Sequence, residues 1–389
     1  MRILLTTFTY PPNADGVAAA SAVLANGLAA RGHTVTVATE YHSQRAPNTS
    51  NANPRVEQFK ISGTGNFRTP VVGETQAYQE FVRNFECDVI VFECWDIWST
   101  YLIRPLLKDL KAKKVLVSHG YAAHLWVPYC RFPWGLGSWV GGFPLVAKMP
   151  FDLRRYDHVV FLSERAAWDR FLDHWIAKKT RFKRCSIIPN GAFMKEFEET
   201  SVNFRAEYGI GPGPIFLCVA NYCDRKNQLM ALRAFREGSF DDATLVFIGS
   251  QFNDYSRSLE AEDAELKRRF IAGKVLFLEK VSRQMTCAAY KAADIFVLSA
   301  KAETQPIVLL EAMASKTPFI STDTGCVAEL PGGLVARSET EMTARMKELV
   351  ASAEKRQKLG REGFEACKTT YDWQRVIEQY ERLLLSLAT

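Results

Sequence analysis

The feature that most limits what this chain can fold into is an alternation, carried through twice, of short β-rich runs and helix-length segments. The first series has runs at Ile3–Thr7, Thr34–Thr39, Val89–Phe92, Val115–Ser118 and Val159–Leu162. A helical segment, Ala18–Ala30, stops at Gly32 just before the second of these runs. After Ile187-Ile188-Pro189-Asn190-Gly191 a second series follows, with runs at Ile215–Val219, Thr244–Ile248, Val275–Leu278, Ile295–Leu298 and Phe319–Ser321. Strands separated by helices need crossover connections, which leave the strands parallel and the sheet covered by helices. The expected fold class is therefore α/β, with two Rossmann-like domains built on parallel sheets. The Pro-Asn-Gly turn and the polar stretch Lys195–Asn203 set the expected domains at 1–193 and 194–370. Beyond Phe319–Ser321 the chain reads helical almost to its end, including Glu339–Leu349 and Trp373–Leu385. The segment 371–389 is then a terminal helix that can return to the first domain.

Composition narrows the function classes. The 389 residues carry 49 basic and 43 acidic side chains, and a net charge of +6 is too mild to mark a nucleic-acid binder. No apolar run is long enough to span a bilayer, and the opening Met1–Thr7 runs into Tyr10-Pro11-Pro12, as a first strand does and a signal peptide does not. The nine cysteines are scattered without a Cys-x-x-Cys pair, which fits reduced thiols in the cytoplasm and no structural zinc. The basic run Lys178–Arg184 reads as a solvated helix end. From Leu125 to Pro150 the rhythm breaks into an aromatic, glycine-rich stretch with Trp126, Trp134 and Trp139. Those tryptophans either mark an acceptor or membrane contact or fill the core, and the glycines fail the Gly-x-Gly-x-x-Gly spacing.

The strongest chemical signal is Ala302-Glu303-Thr304-Gln305-Pro306-Ile307-Val308-Leu309-Leu310-Glu311, shortly after the run Ile295–Leu298. Proline favours the first helical position, so a helix is expected to begin near Pro306 with its N-terminus at the carboxyl end of the sheet, where open α/β folds bind ligands. The amides of Ile307 and Val308 and the helix dipole suit a phosphate there. Glu303 stands before the helix and Glu311 inside it, roughly 8–12 Å further on at about 1.5 Å per residue. Ionised carboxylates only accept hydrogen bonds, so both match hydroxyls, such as the sugar diols at the two ends of a nucleotide-sugar. The alternative is that Glu303 caps the helix and Glu311 pairs with a nearby cation.

A second signal follows the run Ile215–Val219. In Ala220-Asn221-Tyr222-Cys223-Asp224-Arg225-Lys226-Asn227, Arg225 and Lys226 stand at a strand-to-helix junction, where cations reach a diphosphate unless they are ordinary surface charges. The helix after them should turn Leu229, Leu232 and Phe235 inward.

With these residues in view the chain resembles the GT-B glycosyltransferases, and within them the retaining family 4 group. The matching motifs are Ile188-Pro189-Asn190-Gly191, Lys226-Asn227, Glu303 through Ala314, and Tyr371-Asp372-Trp373. Pro11–Gly16 and Gly32–Val35 also match the family's opening. The resemblance runs nearly end to end. It implies two domains whose parallel sheets face a central cleft, and a hexosyltransferase that moves a sugar from a nucleoside diphosphate, with a UDP-sugar as the expected kind of donor. It also implies roles by position. Glu311 holds the ribose hydroxyls, Glu303 with Thr304, Gln305, Pro306, Ile307 and Val308 the sugar and phosphate, and Lys226 the diphosphate. Gly16 approaches the phosphate, and His119, in Val115-Leu116-Val117-Ser118-His119-Gly120, stands near the sugar's reacting face. His119, Lys226 and Glu303 are thus the expected catalytic residues.

Two departures bear on the donor. Many relatives carry a glycine-arginine pair where this chain has Ala220-Asn221, so Arg225 is expected to supply the missing cation beside Asn221. Relatives often have Gly-Phe-Gly where this chain has Thr304-Gln305-Pro306, a change that faces the donor sugar. No Asp-x-Asp run is present, so no metal or other cofactor is expected, and side-chain cations and helix amides must offset the leaving group's charge. Retention in the family is thought to proceed by same-face attack, the departing phosphate taking the acceptor's proton. The expected acceptor is a bacterial surface glycan or a lipid-linked intermediate met at the inner face of the plasma membrane, with a small-molecule acceptor as the alternative. An epimerase, a phosphorylase with a pyridoxal lysine and a non-catalytic glycan-binding protein are the rivals on this architecture.

Overall fold

The computed structural model describes residues 1–49, 51–63, 69–95, 97–120, 147–165 and 171–388. Its contacts divide the chain into two units, Met1–Asn190 with Gln374–Thr389, and Gly191–Trp373. The tryptophans at 126, 134 and 139 lie outside the described residues.

The first unit is built on β1 (Arg2–Thr6), β2 (Thr34–Glu40), β3 (Arg55–Phe59), a hairpin of β4 (Ile61–Ser62) and β5 (Val72–Gly73), then β6 (Val89–Glu93), β7 (Lys113–Ser118), β8 (His158–Phe161) and β9 (Cys185–Ile187). Seven of these form one sheet in the order β3-β2-β1-β6-β7-β8-β9. Every pairing in it is parallel, and Ile3 of β1 faces Val35 on one side and Val89 on the other. Buried strands in such sheets read as continuous apolar runs, and Val89–Glu93 is buried at every position.

The helix Trp373–Ala388 belongs to this unit from Gln374 onward and packs on the helix Gly16–Ala30. The approach is so close that a Cβ added at Gly27 would stand 2.4 Å from Ile377 Cδ1. Glu381 fixes the outer end, accepting from Arg31 Nε at 2.6 Å and meeting His33 Nε2 at 2.9 Å.

The second unit holds β10 (Ile215–Val219), β11 (Thr244–Gly249), β12 (Lys274–Glu279), β13 (Ile295–Leu298), β14 (Phe319–Thr322) and β15 (Gly333–Ala336). They form a sheet in the order β12-β11-β10-β13-β14-β15, again wholly parallel. In the helix Gln228–Gly238 after β10, Ala231, Leu232 and Phe235 are buried, and Phe235 meets Phe216 edge-on with ring centres 5.4 Å apart, inside the roughly 4.5–7 Å of favourable aromatic pairs. Leu229, expected inward, is only half-buried.

The strand β15 corrects the reading that the chain turns wholly helical after Phe319–Ser321. Its opening, Pro331-Gly332-Gly333, looks like a turn. Glycine is nonetheless required there: Gly332 has φ +91°, and a Cβ at Gly333 would stand 2.1 Å from the Phe319 ring. The edge strands β3 and β9 are likewise too short or too polar to show as apolar runs.

Candidate functional site

In the second sheet the chain moves outward from β10 to β11 and β12, then returns to place β13 on the other side of β10. The loops leaving β10 and β13 therefore diverge from adjacent strand ends, which makes a topological switch point, the preferred ligand crevice of open α/β sheets. Both sequence signals fall there. The β10 loop runs from Ala220 through a short 3-10 turn, Asp224–Lys226, and the β13 loop runs from Ser299 to Pro306.

The two loops are tied together by charge and backbone. Lys226 Nζ donates to Glu303 Oε1 at 2.5 Å, with only 15% and 11% of the two side chains exposed. Arg225 Nη1 reaches the same oxygen at 3.2 Å and the Ala302 carbonyl at 3.0 Å. Lys301 N donates to the Arg225 carbonyl at 2.9 Å, and Lys301 Nζ to Asp224 Oδ1 at 2.6 Å. Asn227 closes the turn in the left-handed region, φ +50°, which asparagine tolerates better than most side chains. Its carbonyl accepts from Ser299 Oγ at 2.7 Å. Asn221 is exposed, and its carbonyl accepts from the buried Gln228 amide at 3.0 Å.

The helix after β13 runs over Ile307–Ala314, one residue later than expected, with Pro306 at the N-cap. Extended backbone before a helix suits proline as well as the first helical turn does, and Pro306 has φ −71° and ψ 113°. No side chain caps this helix, so Glu303 is not its cap. The N–H groups of Ile307 and Val308 open the helix, and those of a first turn have no intrahelical acceptor. Leu309 N bonds back to the Pro306 carbonyl at 3.0 Å. Gln305 and Pro306 are buried, and Thr304 is half-buried.

The loop after β14 props this one. A Cβ at Gly325, φ +49°, would fall 2.0 Å from the Thr304 carbonyl oxygen and 2.5 Å from that of Glu303. Cys326 N donates to that Thr304 carbonyl at 3.0 Å, and Thr322 Oγ1 to the Ala300 carbonyl at 2.5 Å. Gly325 was visible in the sequence only as part of a turn, Thr324-Gly325.

Glu311, on the second turn, is buried and paired. Arg283 Nη1 donates to Glu311 Oε1 at 2.5 Å, while Nη2 and Nε reach Glu196 Oε2 at 2.6 and 2.9 Å. The guanidinium also lies 5.6 Å from the centre of the Phe197 ring. Burial opposes its charge, but Glu311, with Cys287 and Glu196, outweighs that and lifts Arg283 above its ordinary pKa. Behind Glu311, Tyr290 is fully buried and donates to the Val308 carbonyl at 3.2 Å. Burial first, then the charge of Glu311, drives its phenol far up, so it stays a donor. The cation half of the alternative reading of Glu311 is thus present in the structure, and Arg283 is a site residue that sequence reasoning passed over. Its only signal was a basic residue after Ser282, one charge among many.

In the first unit Gly16 is exposed and opens the helix Gly16–Ala30. The N-cap Asp15 accepts from Val17 N and Ala18 N, both at 3.0 Å, and so occupies that helix terminus with its own carboxylate. His119 follows the end of β7, and its Nε2 meets Glu93 Oε2, at the end of β6, at 2.5 Å. Glu93 is 2% exposed, a buried carboxylate that nothing in its apolar strand singles out before the fold is known. Beside it, Ser118 Oγ bonds the fully buried Asp173 and accepts from Gly120 N at 3.2 Å. The structure therefore gathers Asn221, Arg225, Lys226 and Glu303–Glu311 in one unit, and Gly16 and His119 in the other. Among the described residues no three or more His, Cys, Asp or Glu side chains come together as a metal site.

Comparison with known proteins bears on the family and the fold. Residues 14–192 match the model of Glycosyltransferase Family 4, and residues 202–366 that of Glycosyl transferases group 1. Alpha-monoglucosyldiacylglycerol synthase of Streptococcus pneumoniae is 24% identical over 331 residues, 82% of this chain and 71% of that protein. Spore coat protein SA of Bacillus subtilis is 26% identical over 47% of this chain, and that match spans about half, 52%, of the relative. Among solved structures, sucrose-phosphate synthase from Thermosynechococcus elongatus superposes with a TM-score of 0.78 at 17% identity, covering 99% of this chain and 98% of the other. Anabaena HepE in complex with UDP and glucose gives 0.72 at 14% identity, covering 99% and 100%. With two parallel α/β units, both family models and this fold likeness, the chain belongs to the GT-B glycosyltransferases.

Proposed function

We propose that the protein transfers a hexosyl group from a nucleoside-diphosphate sugar, with UDP as the nucleotide, to an acceptor, with retention and without a metal. The observation that carries this reading is the Lys226–Glu303 pair at the switch point of the second sheet. A cation able to meet a diphosphate and a carboxylate able to accept from sugar hydroxyls stand side by side there, next to the helix amides of Ile307 and Val308. Arg225 adds a second cation where Asn221 has none, and Glu311 accepts from the ribose hydroxyls through the oxygen that Arg283 leaves open. A HepE structure holding UDP and glucose on the same fold supports the donor class.

Retention is read as same-face attack. The bond from the anomeric carbon to the phosphate oxygen breaks, the acceptor oxygen bonds to that carbon on the same face, and its proton passes to the departing phosphate. Lys226 steadies the charge on that phosphate, and His119, held by Glu93, acts at the sugar. Glu303 orients the sugar hydroxyls.

The acceptor is a bacterial surface glycan or lipid-linked intermediate, met at the cytoplasmic face of the membrane. One relative is named as a synthase of a glucosylated diacylglycerol, which favours the lipid class. A structural neighbour named as a sucrose-phosphate synthase keeps a small-molecule acceptor as the second reading. Among the described residues no helix is long and apolar enough to cross a membrane, so contact with one is peripheral in this reading.

A thermal-shift screen with nucleoside diphosphates tests the donor. A ligand at 100-fold its Kd stabilises the fold by about 2.7 kcal/mol. UDP is expected to raise the melting temperature by several degrees above ADP and GDP, and a chelator to change nothing. No response to any nucleotide would refute the reading.

A further inference from the structure

A second place in the first unit gathers positive charge, and none of the residues named for the donor lines it. After β6 the chain passes Tyr101 and Arg104, and before β8 it passes Lys148, Asp152 and Arg155; with Gln79 these side chains line a cavity of about 450 Å³. Three cations face one carboxylate. Asp152 is shared between the two guanidinium groups at long range, 3.7 Å from Arg104 Nη1 and 3.5 Å from Arg155 Nη1. Lys148 is exposed. The cavity therefore holds two positive charges in excess.

The two arginines are held in place at the wall of the cavity. Arg104 lies over the Trp95 ring at 5.6 Å and is only 15% exposed, while Arg155 is 24% exposed. Arg104 Nη2 also donates to the Trp95 carbonyl at 3.4 Å, which steadies the guanidinium at the cavity wall. A guanidinium presents a planar fork that suits phosphate and carboxylate oxygens alike. The charge chooses between these two: a carboxylate carries one negative charge, whereas a phosphate monoester carries about −1.5 to −2 at neutral pH and balances the excess. The volume, within the roughly 300–1,000 Å³ of small-molecule sites, leaves room for more than the phosphate itself.

We propose that this cavity binds a phosphate monoester, with Arg104, Arg155 and Lys148 as the groups that hold it. The ligand comes either from a soluble phosphorylated molecule or from a lipid headgroup. Tyr101, on the cavity's lining, is 48% exposed, and Phe151, next to Asp152 in the chain, is 69% exposed, which suits a lipid source.

Calorimetric titration with inorganic phosphate and co-sedimentation with phosphatidic acid vesicles, against phosphatidylcholine alone, test this. Both are run on Lys226→Ala protein, so that the diphosphate site does not contribute. Lys148→Gln removes an exposed charge and is expected to fold; Arg155→Gln is the stronger change. Phosphate binding weakened at least about fivefold by Lys148→Gln, a difference of about 1 kcal/mol, supports a soluble source. Sedimentation with phosphatidic acid that falls in the same variants supports a lipid source. Binding of neither probe, or binding that both substitutions leave unchanged, overturns the proposal.

Discussion

Lys226 and Glu303 lie 77 residues apart in the sequence and 2.5 Å apart in space. They meet because β10 and β13 are neighbours whose following loops part at the switch point of the sheet. The pair is largely buried, and in such a setting the loss of one charge strands the other. Arg225, 54% exposed and 3.2 Å from the same carboxylate oxygen, is the one neighbour placed to soften that loss.

Arg283 sets the position of Glu311. Truncation to alanine removes the 2.5 Å contact and frees the carboxylate to change rotamer. Steady-state kinetics on Arg283→Ala are expected to show donor KM raised about tenfold, or about 1.4 kcal/mol, with kcat within about twofold of wild type. Arg283→Lys should recover part of the loss, since it restores the charge without the fork that also reaches Glu196. A fall in kcat with unchanged KM would place Arg283 elsewhere in the mechanism.

Gly325 is the support of the Glu303–Thr304 backbone. In Gly325→Ala the new methyl and the Thr304 carbonyl cannot both keep their places, and the positive φ adds strain. A stability loss of about 1–3 kcal/mol is expected, together with donor affinity reduced beyond what Gly209→Ala causes. Gly209 is the proper control, since it has φ +58° but nothing within 4 Å of its Cβ position. Equal effects of the two changes on donor affinity would remove the supporting role.

The tail helix should loosen in acid. Partial burial raises the pKa of Glu381, but its bonds to Arg31 and His33 outweigh this and hold it below the ordinary carboxylate value. A depressed carboxylate stabilises the folded state above its unfolded pKa, and that contribution drains away as pH falls through the folded one. Protection factors in Gln374–Ala388, taken against intrinsic exchange at each pH, are therefore expected to fall below about pH 4, near and beneath the usual glutamate value. Glu381→Gln should flatten that dependence. Protection in the variant that still falls as in wild type would assign the effect to other groups.

How much of this was legible in the sequence depends on range. The central strands were legible because apolar residues buried on both faces form continuous runs, and Ile215–Val219 and Ile295–Leu298 fall where the runs place them. The edge strand β15 was not, because Gly333 looks like a turn until Phe319 is seen against it. Glu303, Glu311 and Lys226 could be picked out from local context, a strand followed by a helix. Their partners could not: Glu93 is 26 residues from His119 and meets it only when β6 and β7 pair, and Arg283 is 28 from Glu311 and meets it only when the helices Arg283–Ala292 and Ile307–Ala314 come together. Pro306 was misplaced by one position because proline is at home on either side of a helix start.

Release of nucleoside diphosphate from a panel of nucleotide-sugars, with and without acceptor lipids and glycans, tests the donor site most directly. Wild-type protein is expected to turn over one class of donor. Lys226→Ala and Glu303→Gln, folded by circular dichroism, are expected to lose at least about 100-fold in kcat/KM, or about 2.7 kcal/mol of transition-state stabilisation. Wild-type turnover in both variants would contradict a donor site built on Lys226 and Glu303.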